Sequence, residues 1–66
     1  MMTLESVRDE LRILNLRTMP VVVAMALQDD LPQEWRTLIY KYGQVRVFQI
    51  IVSGFDIKDA IRMLAR

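Results

Sequence analysis

Two prolines and two glycines limit the length of every regular element that this chain can form. Pro20 and Pro32 precede apolar segments, and Gly43 and Gly54 follow others. Proline is tolerated in the first turn of a helix but not in its interior, and glycine adopts the geometry that ends a helix without strain. The sequence therefore predicts short elements joined by tight corners, within the single domain that 66 residues allow.

Three of the resulting segments have the apolar periodicity of an amphipathic helix. They comprise residues 3–14, 31–42 and 57–66. Apolar side chains recur in them at spacings of three and four, which places each set on one helix face. The sets predicted to face the core are Leu4, Val7, Leu11 and Leu14 in the first segment, Leu31, Trp35, Leu38, Ile39 and Tyr42 in the second, and Ile57, Ala60, Ile61 and Leu64 in the third.

Short polar side chains near the starts of these segments predict where the helices begin. The Thr3 hydroxyl and the Asp56 carboxylate can each accept a free backbone N–H of a first turn. Asp30 and Gln33 have the spacing of a capping box, and Thr18 can cap the segment that follows it.

Residues 19–28 form an apolar segment with no polar face. The run from Val21 to Leu27 is apolar on every side, and such a helix must be buried all round. In a chain this small, that burial predicts a central helix or the seam of a dimer. Valine also favours β structure, so a buried strand is the alternative.

Residues 44–53 combine the composition of a strand with the spacing of a helix. Their β-branched and aromatic residues favour a strand by propensity alone. However, the polar residues Arg46, Gln49 and Ser53 recur at i, i+3 and i+7. This spacing predicts a helix with one narrow polar stripe.

Together these elements predict an all-α fold, a compact bundle of about five short helices. The alternative is a small α/β fold in which residues 20–27 and 45–52 form two short strands around the helix over 31–42. Hydrophobic residues make up 53% of the chain, which is more than so small a domain readily buries. We therefore expect a homodimer, in which an identical chain covers the excess apolar surface.

The residue types that most catalytic sites use are missing. The chain has no cysteine and no histidine, which excludes disulfides, Cys/His zinc sites and imidazole chemistry. Nearly all carboxylates lie at caps, in first helical turns or on solvated faces, where capping and dipole effects explain them. We expect a non-enzyme with no catalytic, cofactor-binding or metal site and no small-molecule substrate.

The sequence also predicts a soluble cytoplasmic protein that does not enter a membrane. Residues Met1 to Glu5 show neither the cationic nor the apolar region of a signal peptide. The longest apolar run, from Met19 to Leu27, is far shorter than the ~20 residues that cross a bilayer.

Charge is distributed unevenly along the chain. Residues 1–35 carry a net charge of −3 and residues 36–66 a net charge of +4, although the whole chain has only +1. In the last helix, Lys58, Arg62 and Arg66 recur every four residues and form a cationic stripe. Such a stripe can contact phosphates or an acidic partner.

These observations predict a small regulatory or adaptor protein that acts by stoichiometric protein binding, as a homodimer. Its interface would use apolar surface from the Met19–Leu27 and Val45–Val52 segments. The alternative is a small DNA-binding transcriptional regulator that uses the basic C-terminal half, because Arg and Gln side chains hydrogen-bond base edges. The residues predicted to bind the partner are Arg46, Gln49, Lys58, Arg62 and Arg66.

Overall fold

The protein is a bundle of short helices. The computed structural model describes residues 3–66, and within this range the chain forms five α-helices and no strand. The helices are α1 (Leu4–Ile13), α2 (Val21–Asp29), α3 (Gln33–Tyr42), α4 (Gln44–Val52) and α5 (Ile57–Leu64). The prediction of a compact all-α bundle of about five helices is confirmed. The α/β alternative is wrong, because both of its proposed strands are helical.

Helix α4 lies at the centre of the bundle. The most closely packed helix pairs are α3 with α4, α1 with α4, and α3 with α5. Buried positions of α4 follow a helical spacing, with Val47, Phe48, Ile50 and Ile51 all facing the core. The β-branched residues of α4 therefore pack against several neighbouring elements rather than pairing in a sheet. Tertiary packing overrides their intrinsic preference for β structure.

The core draws on every helix. The buried apolar side chains are Val7, Leu11, Ala24, Leu27, Leu31, Trp35, Leu38, Ile39, Val47, Phe48, Ile50, Ile51, Ala60 and Leu64. Most of the predicted core positions are among them. Ile61 is an exception: it was expected on the core face of α5 but is half-exposed, because Ala60 and Leu64 face the bundle and Ile61 lies on the flank of the helix.

Gly43 joins α3 to α4 without any linker. It caps the end of α3 and the start of α4 at once, and its N–H donates to the Ile39 carbonyl at 2.9 Å. Its backbone angles, φ 100° and ψ 146°, are accessible almost only to glycine. The prediction that Gly43 ends the helix is confirmed, and the direction of α4 relative to α3 depends on this one residue.

Two of the predicted caps are confirmed. The Thr3 hydroxyl accepts the Ser6 N–H at 3.2 Å, and the Asp56 carboxylate accepts the Asp59 N–H at 3.0 Å. The hydrogen bond from the Asp59 backbone holds the pKa of Asp56 below its ordinary value, and the charge of Lys58 adds to this effect.

The other two predicted caps are wrong. Pro20 and Pro32 themselves occupy the N-cap positions of α2 and α3, with extended backbones and no side-chain hydrogen bond. Thr18 therefore lies too far before α2 to cap it. Asp30 ends α2 as its C-cap, so Asp30 and Gln33 form no capping box.

Helix α2 lies at the edge of the bundle rather than at its centre. Ala24 and Leu27 are buried, but Val21 and Val22 are 79% and 75% exposed. The expectation that this segment is a central helix is wrong, because only one face of α2 meets the rest of the fold. The opposite face is apolar and has no covering element within the described chain.

A partly buried hydrogen bond ties α2 to α4. The Gln44 side-chain amide donates to the buried Gln28 Oε1 at 2.7 Å, and it also lies 3.8 Å from the Met25 sulfur. Pairing the two glutamines satisfies polar groups that would otherwise be costly to bury. This contact fixes the start of α4 against α2.

Candidate partner-binding surface

Helix α4 presents one exposed stripe to solvent. Arg46, Gln49 and Ser53 lie on it, as their spacing predicted, and the exposed Val45 continues it. The Ser53 hydroxyl is turned back toward its own helix and donates to the Gln49 carbonyl at 2.9 Å. Arg46 and Gln49 therefore supply the long polar side chains of this stripe.

A depression of about 310 Å³ separates the stripe from α5. It is lined by Arg46, Gln49, Ile50, Ser53, Met63 and Leu64. Helix α5 packs mainly on α3, which leaves room between α5 and α4. The depression combines an apolar base with polar groups from the α4 stripe.

A second depression, of about 500 Å³, lies along α5. It is lined by Phe55, Asp59, Arg62, Met63 and Arg66. Met63 belongs to both depressions, so they are neighbours on one surface. We call the residues around these two depressions the α4–α5 surface.

The α4–α5 surface brings together four of the five residues predicted to bind a partner. Arg46 and Gln49 come from α4, and Arg62 and Arg66 come from the end of the chain. Lys58 lines neither depression, although it is exposed on the same helix. Helical periodicity correctly placed Lys58 beside Arg62. It could not show that the α4–α5 surface lies on the flank of α5 that faces away from Lys58.

The arginines of this surface form no ion pair within the described chain. Among residues 3–66, ion pairs are formed by Arg8 and Arg12 of α1, and none involves Arg46, Arg62 or Arg66. The Arg46 guanidinium lies 5.9 Å from the centre of the Tyr42 ring, within cation–π range. These three side chains are available for a partner.

Arginines of α1 have a different role, which sequence reasoning missed. Buried Arg8 donates from Nε to the Ile51 carbonyl at 2.7 Å and from Nη2 to the Phe55 carbonyl at 3.1 Å. Arg12 donates to the Val52 carbonyl at 3.3 Å. They satisfy carbonyls at the end of α4, where cations are favoured. The position of Arg8 beside Val7 and Leu11 was the available signal.

A separate apolar surface lies where α2 meets the start of α4. It contains the exposed residues Val21, Val22 and Met25 of α2 and Val45 of α4, and we call it the α2 face. A groove of about 190 Å³ runs beside it, lined by Leu16, Met19, Val21, Ala24, Gln44, Val45 and Phe48. The exposed stripe of α4 thus connects two surfaces. Its Val45 end belongs to the α2 face, and its Arg46 and Gln49 side chains belong to the α4–α5 surface.

The described residues contain neither a cluster of metal ligands nor a membrane-spanning helix. No three acidic side chains within 3–66 come together as a metal-binding group. None of the helices in this range is both long enough and apolar enough to cross a bilayer. The arrangement suits contact with a macromolecule, through apolar patches with charged side chains beside them.

Comparison with known proteins gives no relative for this chain. No family model, curated protein or solved structure matches it significantly.

Proposed function

We propose that this chain is a cytoplasmic, non-enzymatic regulatory or adaptor protein that acts by stoichiometric protein binding, as a homodimer. The observation that carries the proposal is the α2 face. Three large apolar side chains of one short helix are exposed there, together with Val45 of α4. Isolated surface hydrophobics need no explanation, but a contiguous group of this kind marks an interaction site.

The size of the α2 face suits the centre of a dimer interface. The largest apolar patch of a monomer is often functional. A standard interface buries roughly 800 Å² on each partner, so polar residues around the patch would supply the rest. Two copies of α2 can pair around a two-fold axis, because exposed Ala26 lets the helices approach closely.

Sedimentation velocity on the full chain, from about 5 to 200 µM, tests the homodimer. We expect a dimer for the parent protein and a monomer for Val22→Glu, which would bury two unpaired charges in the seam. Ile13→Glu is the matched control, because Ile13 is 79% exposed on α1 and outside the α2 face. A monomeric parent at 200 µM, or equal effects of the two variants, would contradict the proposed dimer.

The second candidate is a DNA-binding regulator, and the exposed pair Arg46 and Gln49 favours it. Both side-chain types hydrogen-bond base edges in the major groove, and Arg62 and Arg66 of the neighbouring depression are side chains that contact phosphates. The low net charge of +1 argues against it, since nucleic-acid binders usually show a stronger basic excess.

Fluorescence anisotropy with a labelled random-sequence duplex separates the two functions. DNA binding predicts micromolar or tighter affinity at about 50 mM salt that weakens steeply at about 200 mM. Protein binding predicts no such association at either salt concentration.

A further inference from the structure

We propose that the α4–α5 surface binds a short acidic, amphipathic helix of a partner protein, with an apolar side chain of that helix seated over Met63. The inference rests on the proposed protein-binding function and names the chemistry of the partner. It concerns a different surface from the α2 face, so the two can be tested separately.

The shape of the α4–α5 surface suits a bound helix. The two depressions meet at Met63, and Ile50, Leu64 and Phe55 add apolar lining at either side. Because α5 packs mainly on α3, the first depression is a groove between α4 and α5, and the second depression continues it along α5. Grooves of this kind accept the apolar face of an amphipathic helix, which offers anchors at i, i+3 or i+4, and i+7.

The charge around the groove suits an acidic ligand. Arg46 lies on the α4 side, and Arg62 and Arg66 lie on the α5 side, none of them in an ion pair within the described chain. Glutamates beside the apolar anchors of a bound helix can therefore reach a cation on either side. Arginine suits this role because its planar guanidinium binds carboxylates with two parallel hydrogen bonds.

Among residues 3–66, Asp59 is the one acidic side chain that lines the two depressions, and removing its charge tests the proposal directly. Its carboxylate lines the depression with Arg62 and Arg66, and it must repel an acidic ligand there. Removing that charge should strengthen binding of an acidic helix. A damaged fold cannot produce such a gain.

Binding can be measured with a designed helical peptide as the probe. The peptide has about 14 residues, with leucines at i, i+4 and i+7 and glutamates beside them. A second peptide replaces every glutamate with lysine and keeps the leucines. Each is titrated into the ¹⁵N-labelled full chain, and backbone amide shifts report both the affinity and the location of binding.

We expect the acidic peptide to bind saturably and to shift the amides of Gln49, Ser53, Met63 and Arg66, while the lysine peptide does not bind. Arg62→Glu should weaken binding about tenfold or more, since it puts an anion where a carboxylate must dock. Asp59→Asn should tighten binding about two- to threefold. Lys58→Glu, with the same charge change as Arg62→Glu, should alter it less than about threefold because Lys58 lies outside the groove.

Four results of the peptide titrations would overturn the inference. They are absence of saturable binding by the acidic peptide, equal binding of the lysine peptide, equal losses for Lys58→Glu and Arg62→Glu, and shifts confined to the α2 face. Displacement of the acidic peptide by a DNA duplex at equal concentration would overturn it in favour of nucleic acid. Sedimentation of the same samples tests the dimer independently of peptide binding. If the chain is a dimer that does not bind the acidic peptide, only the docking inference is refuted. If it is a monomer that binds the peptide, only the proposed dimer is refuted.

Discussion

Replacing Arg8 with methionine removes a cation that closes the end of α4. The Arg8 side chain is only 8% exposed, and its Nε and Nη2 donate to the carbonyls of Ile51 and Phe55. It also pairs with Glu5, which is largely exposed. Methionine keeps most of the apolar stem, so Arg8→Met tests the hydrogen bonds rather than the packing.

The magnitude follows from the contacts that are lost. Hydrogen bonds to charged groups contribute about 1.5–3 kcal/mol each, but the carbonyl of the exposed Phe55 can bind water instead. The exposed Glu5 pair adds little. We therefore expect Arg8→Met to cost about 3 kcal/mol, mostly through the buried bond to Ile51. A chain of this length has a total stability of only about 3–10 kcal/mol, so the loss is severe.

Thermal unfolding followed by circular dichroism at fixed protein concentration measures the loss. A cost of about 3 kcal/mol lowers the Tm by roughly 12–24 °C in a domain this small. Arg12→Met is the control, because Arg12 is 51% exposed and makes one longer bond to Val52. If Arg8→Met lowers the Tm no more than Arg12→Met does, the proposed role of Arg8 is refuted.

Three further predictions concern the core, a corner and a cap. Ile51→Ala should lower the free energy of unfolding, measured in urea, by about 2–5 kcal/mol because Ile51 is fully buried in the central helix. Val45→Ala is the control and should lower it far less, because Val45 is exposed. Gly43→Ala should lower the free energy of unfolding by about 1–3 kcal/mol. The cause is the positive φ alone, because an added Cβ meets no neighbour within 4 Å, and an unchanged stability would contradict the backbone strain. The lowered pKa of Asp56 means that its contribution to stability is present above its ordinary value of 3.8 and is lost as pH falls through the folded pKa. Asp56→Asn should therefore flatten the pH dependence of Tm below about pH 4, and an unchanged slope there would argue against it.

Helices with one apolar face were predictable from the sequence because their periodicity carries the information. The stripe of Arg46, Gln49 and Ser53 identified α4 as a helix against its β-forming composition, and Thr3 and Asp56 marked real caps. The capping box predicted for Asp30 and Gln33 was wrong because Pro32 occupies the N-cap position of α3, which leaves no place for a capping side chain. Local spacing cannot reveal such competition.

Burial of α2 was not predictable, because its uniform composition does not say which face meets the core. Val21 and Ala24 look alike as apolar residues, yet one is exposed and the other buried. The candidate surface was partly predictable for a related reason. Periodicity grouped Arg62 and Arg66, but only the packing of α5 on α3 brings them to the same groove as Arg46.

The joint at Gly43 sets the register between the interior of the protein and the α4–α5 surface. No spare residue separates α3 from α4, so every position along α4 inherits its orientation from this single backbone unit. One inserted residue would turn α4 by about 100°, the rotation per residue of an α-helix, and would carry Ile51 toward solvent and Arg46 away from its groove. Side chains on the outer stripe can be exchanged without disturbing the core, whereas the length of the joint cannot change without loss of both core and groove.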